Sequence, residues 1–183
     1  MLDPKSEILG ALYQLKPDDA VRLAEAASSL TIWEAAALGR YAAVERLLAA
    51  DATLANTAAP DGHYPLGLAA FFGHPATVRL LLARGADVHA AAQNEMKVQP
   101  LHAAIASRNA ETVAVLLEHG ADANARQQIG YTALMGAAGA GRHDLVDLLL
   151  ARGAAASLVS DEGKTAADIA RDHGHRALAD RLA

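Results

Sequence analysis

Residues Pro100–Ala125 read PLHAAIASRNAETVAVLLEHGADANA, and most of the chain is a variation on this phrase. Its first ten residues align with TIWEAAALGR from Thr31, PLGLAAFFGH from Pro65, ALMGAAGAGR from Ala133 and AADIARDHGH from Ala166. The second residue of each block is Ile32, Leu66, Leu101, Leu134 and Ala167, giving steps of 34, 35, 33 and 33. Twelve residues on stand Val44, Val78, Val113, Val146 and Ala179, and three further on Leu47, Leu81, Leu116, Leu149 and Leu182, the spacing of one helix face. LLARGADVHA, LLEHGADANA and LLARGAAASL then place Gly85, Gly120 and Gly153 just after a leucine-rich helix, where a left-handed residue ends it. Gly39, Gly73, Gly141 and Gly174 close the first helix of four units in the same way, and Pro75 suits the first position of a second helix. Each unit is helix, tight turn, helix, glycine stop and loop.

Composition agrees. The chain has 183 residues with 52% hydrophobic but only 4% aromatic content, so alanine and leucine dominate, which favours close-packed helices over a sheet. The fold class expected is all-α. A net charge of −5 without a basic run or helix face argues against nucleic acid. The chain lacks cysteine, the opening MLDPKSEILGALYQLKPDD has no basic segment leading into an unbroken apolar one, and no apolar run approaches membrane-spanning length. The expectation is a cytoplasmic protein with no membrane association.

The period near 33, the stretches QPLHAA and YTALMGAA, and the GADVHA and GADANA that precede or follow them resemble the ankyrin repeat family. The resemblance covers about residues 30–183 in five units, near 30–58, 59–93, 94–126, 127–159 and 160–183. With a helical N-terminal cap at 1–29, the chain is similar to small single-domain bacterial-type ankyrin repeat proteins. What this implies is a solenoid of antiparallel helix pairs with β-hairpin loops, whose concave face usually binds another protein. EILGALYQLKPDDAVRLAEAA reads as two cap helices parted near Lys16-Pro17, with Asp18 and Asp19 favouring the second helix's start. Charges at Asp168, Arg171, Asp172, Arg176, Asp180 and Arg181 suit the exposed last unit.

Three departures stand out. Asp51 replaces a glycine, and aspartate tolerates the left-handed conformation better than most residues. Arg108 replaces the inter-helix glycine at a strain of about 1 kcal/mol. The loop HAAAQNEMKVQP is two residues longer than its counterparts and has Lys97 where they have Gly62, Gly130 and Gly163, so its hairpin cannot have the ordinary shape.

Chemistry-bearing patterns are few. His102, His74 and His175 fall at positions where the family uses histidine for local hydrogen bonds, and His173 with His175 lacks a third nearby ligand for zinc. The glycines of GAAGAGRHD lie in a repeat helix without the strand or basic anchor of a phosphate cradle. No hydrolase elbow, phosphate loop, dinucleotide fingerprint or zinc-protease motif is present. No catalytic residue, metal or cofactor is expected.

The family's variable positions, carried over unit by unit, are Pro60, Asp61, His63, Phe71 and Phe72; Glu95, Met96, Val98, Ala106 and Ser107; and Gln128, Ile129, Tyr131, Gly139 and Ala140. The only two phenylalanines are adjacent, and neighbours on a helix point about 100° apart, so both cannot face the core. His63, Phe71, Phe72, Glu95, Met96, Val98, Gln128, Ile129 and Tyr131 are therefore the expected partner-binding residues, an apolar stripe with a polar rim. Phe72 and Val98 have a plain packing alternative, and Trp33 is expected to pack against Ile8, Leu12 or Leu23. The function expected is a non-catalytic protein-protein interaction module, monomeric or weakly self-associating through the stripe. The alternatives are an inhibitor or immunity-type protein blocking an enzyme with the same surface, and an enzyme or small-ligand binder using the grooves between repeats.

Overall fold

Most helices among the described residues start where the sequence supplies a cap or a proline. Ser6, Thr31, Asn109, Thr132 and Thr165 accept a backbone N–H three residues on, and Pro17, Pro65, Pro75 and Pro100 occupy first turns that need no donor. The computed structural model describes residues 6–183, so the first five residues of the expected cap lie outside it. α1 (Glu7–Tyr13) and α2 (Pro17–Ala26) are followed by five pairs. These are α3 (Ile32–Ala37) with α4 (Tyr41–Ala50), α5 (Pro65–Phe71) with α6 (Pro75–Ala83), α7 (Pro100–Ser107) with α8 (Ala110–Glu118), α9 (Ala133–Gly139) with α10 (His143–Ala151), and α11 (Ala166–Asp172) with α12 (Arg176–Leu182).

The odd-numbered helices from α3 to α11 stack side by side in one row, and α4, α6, α8 and α10 form a second row behind them. The in-phase residues fill the space between. Leu66, Leu101 and Leu134 from the odd row meet Val78, Val113, Val146, Leu81, Leu116 and Leu149 from the even row, all essentially inaccessible to water. Each such side chain contributes about 2 kcal/mol of burial. In the first unit Leu48 is buried while Leu47 is half-exposed.

Arg108 adopts the left-handed conformation (φ 56°) taken by Gly39, Gly73, Gly141 and Gly174 at the same turn. Its carbonyl accepts from Arg142 Nη1 at 2.8 Å. Of these four turn glycines Gly141 has the least room, since a Cβ there would sit 2.5–2.8 Å from the His175 ring. Asp51 corrects its expectation: it is extended (φ −148°, ψ 102°) and not left-handed. Its Oδ1 accepts from Thr53 N at 2.9 Å and Thr53 Oγ at 2.6 Å, capping a short 3-10 helix, Ala52–Asn56, that takes the place of a glycine stop.

The loops before α5, α9 and α11 close by one backbone bond over four residues, Ala59 to His63, Gln127 to Tyr131 and Ser160 to Lys164. The loop before α7 closes from Ala92 to Val98, two residues wider, with Lys97 at φ 48°. Among the described residues the only β-bridge is Arg126 with Thr132, and no loop extends into a strand ladder. Neighbouring tips are tied, Gln93 N donating to Gly62 O at 2.8 Å and Asp161 N to Ile129 O at 3.0 Å.

Candidate partner-binding surface

Phe71 and Phe72 end α5 and divide as helical geometry requires. Phe71 is 42% exposed, while Phe72 is half-buried against an apolar cluster and meets Phe71 edge-on at 5.1 Å. The cluster covering Phe72 comes from the N-terminal helices: Ile8, Leu9 and Leu12 of α1, with Ala20 and Leu23 of α2, gather Ala37, Leu38 and Leu68. Trp33 packs there too, its Nε1–H donating to Thr57 O at 2.8 Å.

α1 thus reaches across α3 to the side of α5 that adjoins the loop tips. Tyr13 at its end lies 6.1 Å from the Phe72 ring and 6.2 Å from His63, and donates from its hydroxyl to Asp61 Oδ2 at 3.0 Å. Burial and the Asp61 carboxylate push the Tyr13 phenol above the usual tyrosine range. Tyr13 was absent from the residues expected from sequence. The apolar spacing of Ile8, Leu9 and Leu12 signalled a buried helix face, but nothing in it signalled that the face would cover α5.

Met96 (56% exposed) and Ile129 (52%) stand on the tips of the next two loops, beside the exposed Glu95 and Gln128. Met96 is presented by an Asx turn, its N–H donating to Asn94 Oδ1 at 3.2 Å, and Ile129 by a left-handed backbone (φ 58°). The Asn94 amide also lies 3.3 Å from His63 Nε2, joining the second and third tips. Val98 and Tyr131 are less available, since both are partly buried against the core. Tyr131 lies over α9, where a Cβ on Gly139 would meet its hydroxyl at 3.5 Å, and burial, reinforced by Glu162, raises its phenol.

Of the histidines at motif positions, His74 holds backbone. His74 Nε2–H donates to Ala37 O at 2.9 Å, tying the second unit to the first. His102 is buried, with the backbone of Ala125 and Tyr131 beside its ring. Burial holds both below the usual histidine range. Among the described residues no group of three or more His, Cys, Asp or Glu could hold a metal ion, and no helix is long and apolar enough to cross a membrane.

The family described as ankyrin repeats in three copies matches residues 32–127, more than half the chain, and a second ankyrin-repeat family matches residues 116–170. The chain belongs to the ankyrin repeat family. Among relatives of this ankyrin repeat chain is the Transient receptor potential cation channel subfamily A member 1 homolog of Caenorhabditis elegans. It is 36% identical over 141 residues, which are 77% of this chain and 11% of that protein. Ankyrin repeat domain-containing protein 49 of Bos taurus is 49% identical over 63 residues, and that of Homo sapiens 48%, in each case 34% of this chain and 26% of the relative. The chain thus matches about a tenth to a quarter of the length of these relatives. Ankyrin repeats are generally protein-protein interaction modules without catalytic activity of their own.

Proposed function

We propose that this chain is a non-catalytic protein-binding module whose contact surface runs from the end of α5 along the tips before α7 and α9. The observation that carries the reading is the exposure of Phe71, Met96 and Ile129 on three successive units, flanked by Asp61, Glu95 and Gln128. Large apolar side chains with a polar rim form the usual anatomy of a protein interface. His63 braces the surface through Asn94, and Phe72, Val98 and Tyr131 support it from beneath. The test is capture of a partner from the native host by the immobilised chain, repeated with Phe71→Ala, Met96→Ala and Ile129→Ala. If the reading holds, at least one variant loses about thirtyfold in affinity, a hot-spot cost of about 2 kcal/mol, without a change in melting temperature. Unimpaired capture by all three would place the interface elsewhere.

One observation favours a second reading, a pocket for a small ligand. A groove of about 250 Å³ between α7 and α9 is lined by His102, Gln127 and Tyr131 among others, and the His102 ring nitrogens and Gln127 Oε1 have no well-formed hydrogen bond. An ordered water or a small polar ligand would satisfy them. Resonance shifts confined to this groove on screening small polar compounds would support it.

A further inference from the structure

In the front row of helices the seventh residue of one ten-residue block falls beside the fourth of the next. A Cβ on Gly139 of α9 would come within 3.0 Å of the Ile169 side chain of α11, and Ala37 of α3 shares an apolar cluster with Leu68 of α5. The same register sets Phe71 of α5 beside Ala103 of α7. Each of those junctions has one large side chain to fill it. Where α7 meets α9 the two residues are Ala106 and Gly136, both small, and both line the groove of about 250 Å³. The groove is narrow across the helices, because a Cβ on Gly136 would already stand 3.1 Å from the Ile105 side chain.

Polarity divides the groove along its length. At the tip end lie the His102 ring, 7% exposed, and Gln127 Oε1, neither with a well-formed hydrogen bond. Burial holds the imidazole below the usual histidine range, hence neutral at pH 7, so it offers one N–H and one bare nitrogen. Together with the Gln127 oxygen it suits a hydroxyl, which both donates and accepts. Six residues further along α7, a rise of about 9 Å, Arg108 lines the other end. It is exposed and takes part in no ion pair among the described residues. No Asp or Glu is among the described residues that line the groove. Glu162 acts on the Tyr131 phenol at the tip end, which disfavours an anion there and leaves it to Arg108. Ile105, Ala106 and Gly136 make the stretch between apolar.

We infer that this groove binds a small carboxylate with a hydroxyl at its far end and a flat apolar body between, the chemistry of a hydroxyaryl alkanoic acid. Arg108 takes the carboxylate in a charge-assisted bond, Gln127 Oε1 accepts from the hydroxyl while the His102 N–H donates to it, and the body lies over Gly136 between Ile105 and Tyr131. The volume is below the range of about 300–1,000 Å³ typical of drug-sized ligands, which suits one ring and a short chain and is too small for a nucleotide. The site gives a chemical reason for a left-handed arginine at a turn where four other units have glycine. The inference rests on the small-ligand reading of the groove and names that ligand's chemistry; it does not depend on the protein-binding surface.

The probe is 3-(4-hydroxyphenyl)propionate, titrated into the full-length chain and followed through amide resonances. Its companions are 3-phenylpropionate, which lacks the hydroxyl, and the methyl ester of the probe, which lacks the charge. Shifts should centre on Ile105, Gln127 and Gly136. The probe should bind about tenfold more tightly than either companion, and its lead over the ester should shrink in high salt. Arg108→Gly, which relieves the backbone and keeps the fold, should remove the preference for acid over ester, and Gln127→Leu the preference for the hydroxyl. Gly136→Leu gives α9 the side chain that α5 has at Leu68 and should close the groove to all three compounds; if that chain does not fold, the other two variants decide. The inference is overturned if the probe leaves the groove resonances unmoved, so that ordered water is the partner of His102 and Gln127. It is equally overturned if acid and ester bind alike to the parent, or if Arg108→Gly binds the acid as tightly as the parent does. Groove shifts produced by other polar compounds irrespective of charge would preserve the small-ligand reading while sinking this one.

Discussion

At the C-terminal end of the stack, α11 and α12 repeat the helix pair of their neighbours and change mainly its outward residues. At the N-terminal end, α1 and α2 follow no repeat pattern and reach round onto the front of α3 and α5. The C-terminal pair keeps Ile169, Leu178, Ala179 and Leu182 buried against α9 and α10's side of the core. Its exposed ion pairs, Arg181 with Asp147 at 2.5 Å and Lys164 with Asp172 at 2.8 Å, are of a kind worth at most about 1 kcal/mol. Its hold is therefore apolar, and its charges chiefly keep the end wetted. The N-terminal pair has its own small cluster, joined to the main core through Leu30 and Trp33. One end continues the solenoid; the other is an accessory laid on it, and only the second has access to the proposed binding surface.

Deleting residues 161–183 should break this contrast most visibly, because it uncovers Val146 and Leu149, which the parent buries completely. The expected result is an insoluble or partly unfolded chain, whereas deleting residues 1–29 should leave a folded one with α5–α12 protected in amide exchange. A soluble C-terminal truncation of unchanged melting temperature would contradict the assignment of α11 and α12 as a structural end.

Single cavities sharpen the same point. Leu178→Ala empties a site with no solvent access and should cost about 3 kcal/mol, while Leu12→Ala, at the edge of the small cluster, should cost about 2 kcal/mol or less. Chemical denaturation monitored by circular dichroism measures both. Equal losses would mean that α1 belongs to the same cooperative core.

Acid should act on the front half. His74 and His102 have folded pKa values lowered by burial, so the unfolded chain binds more protons. The stability they confer is complete above about pH 6.5, the unfolded value, and is lost as pH falls below it. The melting temperature should be lower at pH 5 than at pH 7, and the difference should be smaller in a His74→Asn, His102→Asn chain. A difference of equal size in that chain would assign acid sensitivity to other groups.

The smallest effect expected is a gain. Arg108→Gly relieves a left-handed arginine and should add about 1 kcal/mol, raising the melting temperature by roughly 2–4 °C in a chain of this size. No gain would show that the Arg108 side chain compensates its backbone.

Much of this architecture could be read from the residues because repetition removes ambiguity. Leu66, Leu101 and Leu134 recur in phase with Val78, Val113 and Val146, and a residue that must be buried in one unit must be buried in the next. The left-handed turn at Arg108 and the wider loop ending in Lys97 were legible as departures from that pattern. Asp51 was not, because an aspartate two residues before Thr53 can either turn left-handed or cap a 3-10 helix, and the packing of the Ala52–Asn56 segment makes the choice. The candidate surface was legible only in outline: adjacency alone required Phe71 and Phe72 to face different ways, but not which would be covered.

The sequence by itself determined the helix pairs, their phase and their stops, since caps, prolines, glycines and helical spacing act over a few residues and need no distant partner. Tertiary structure decided that α1 lies over Phe72 and Leu68, that Tyr13 meets Asp61 across 48 residues of chain, and that Tyr131 lies on α9 instead of standing free. These contacts join segments with no common period, so their geometry depends on how the stacked units present their surfaces, which exists only once the stack has formed.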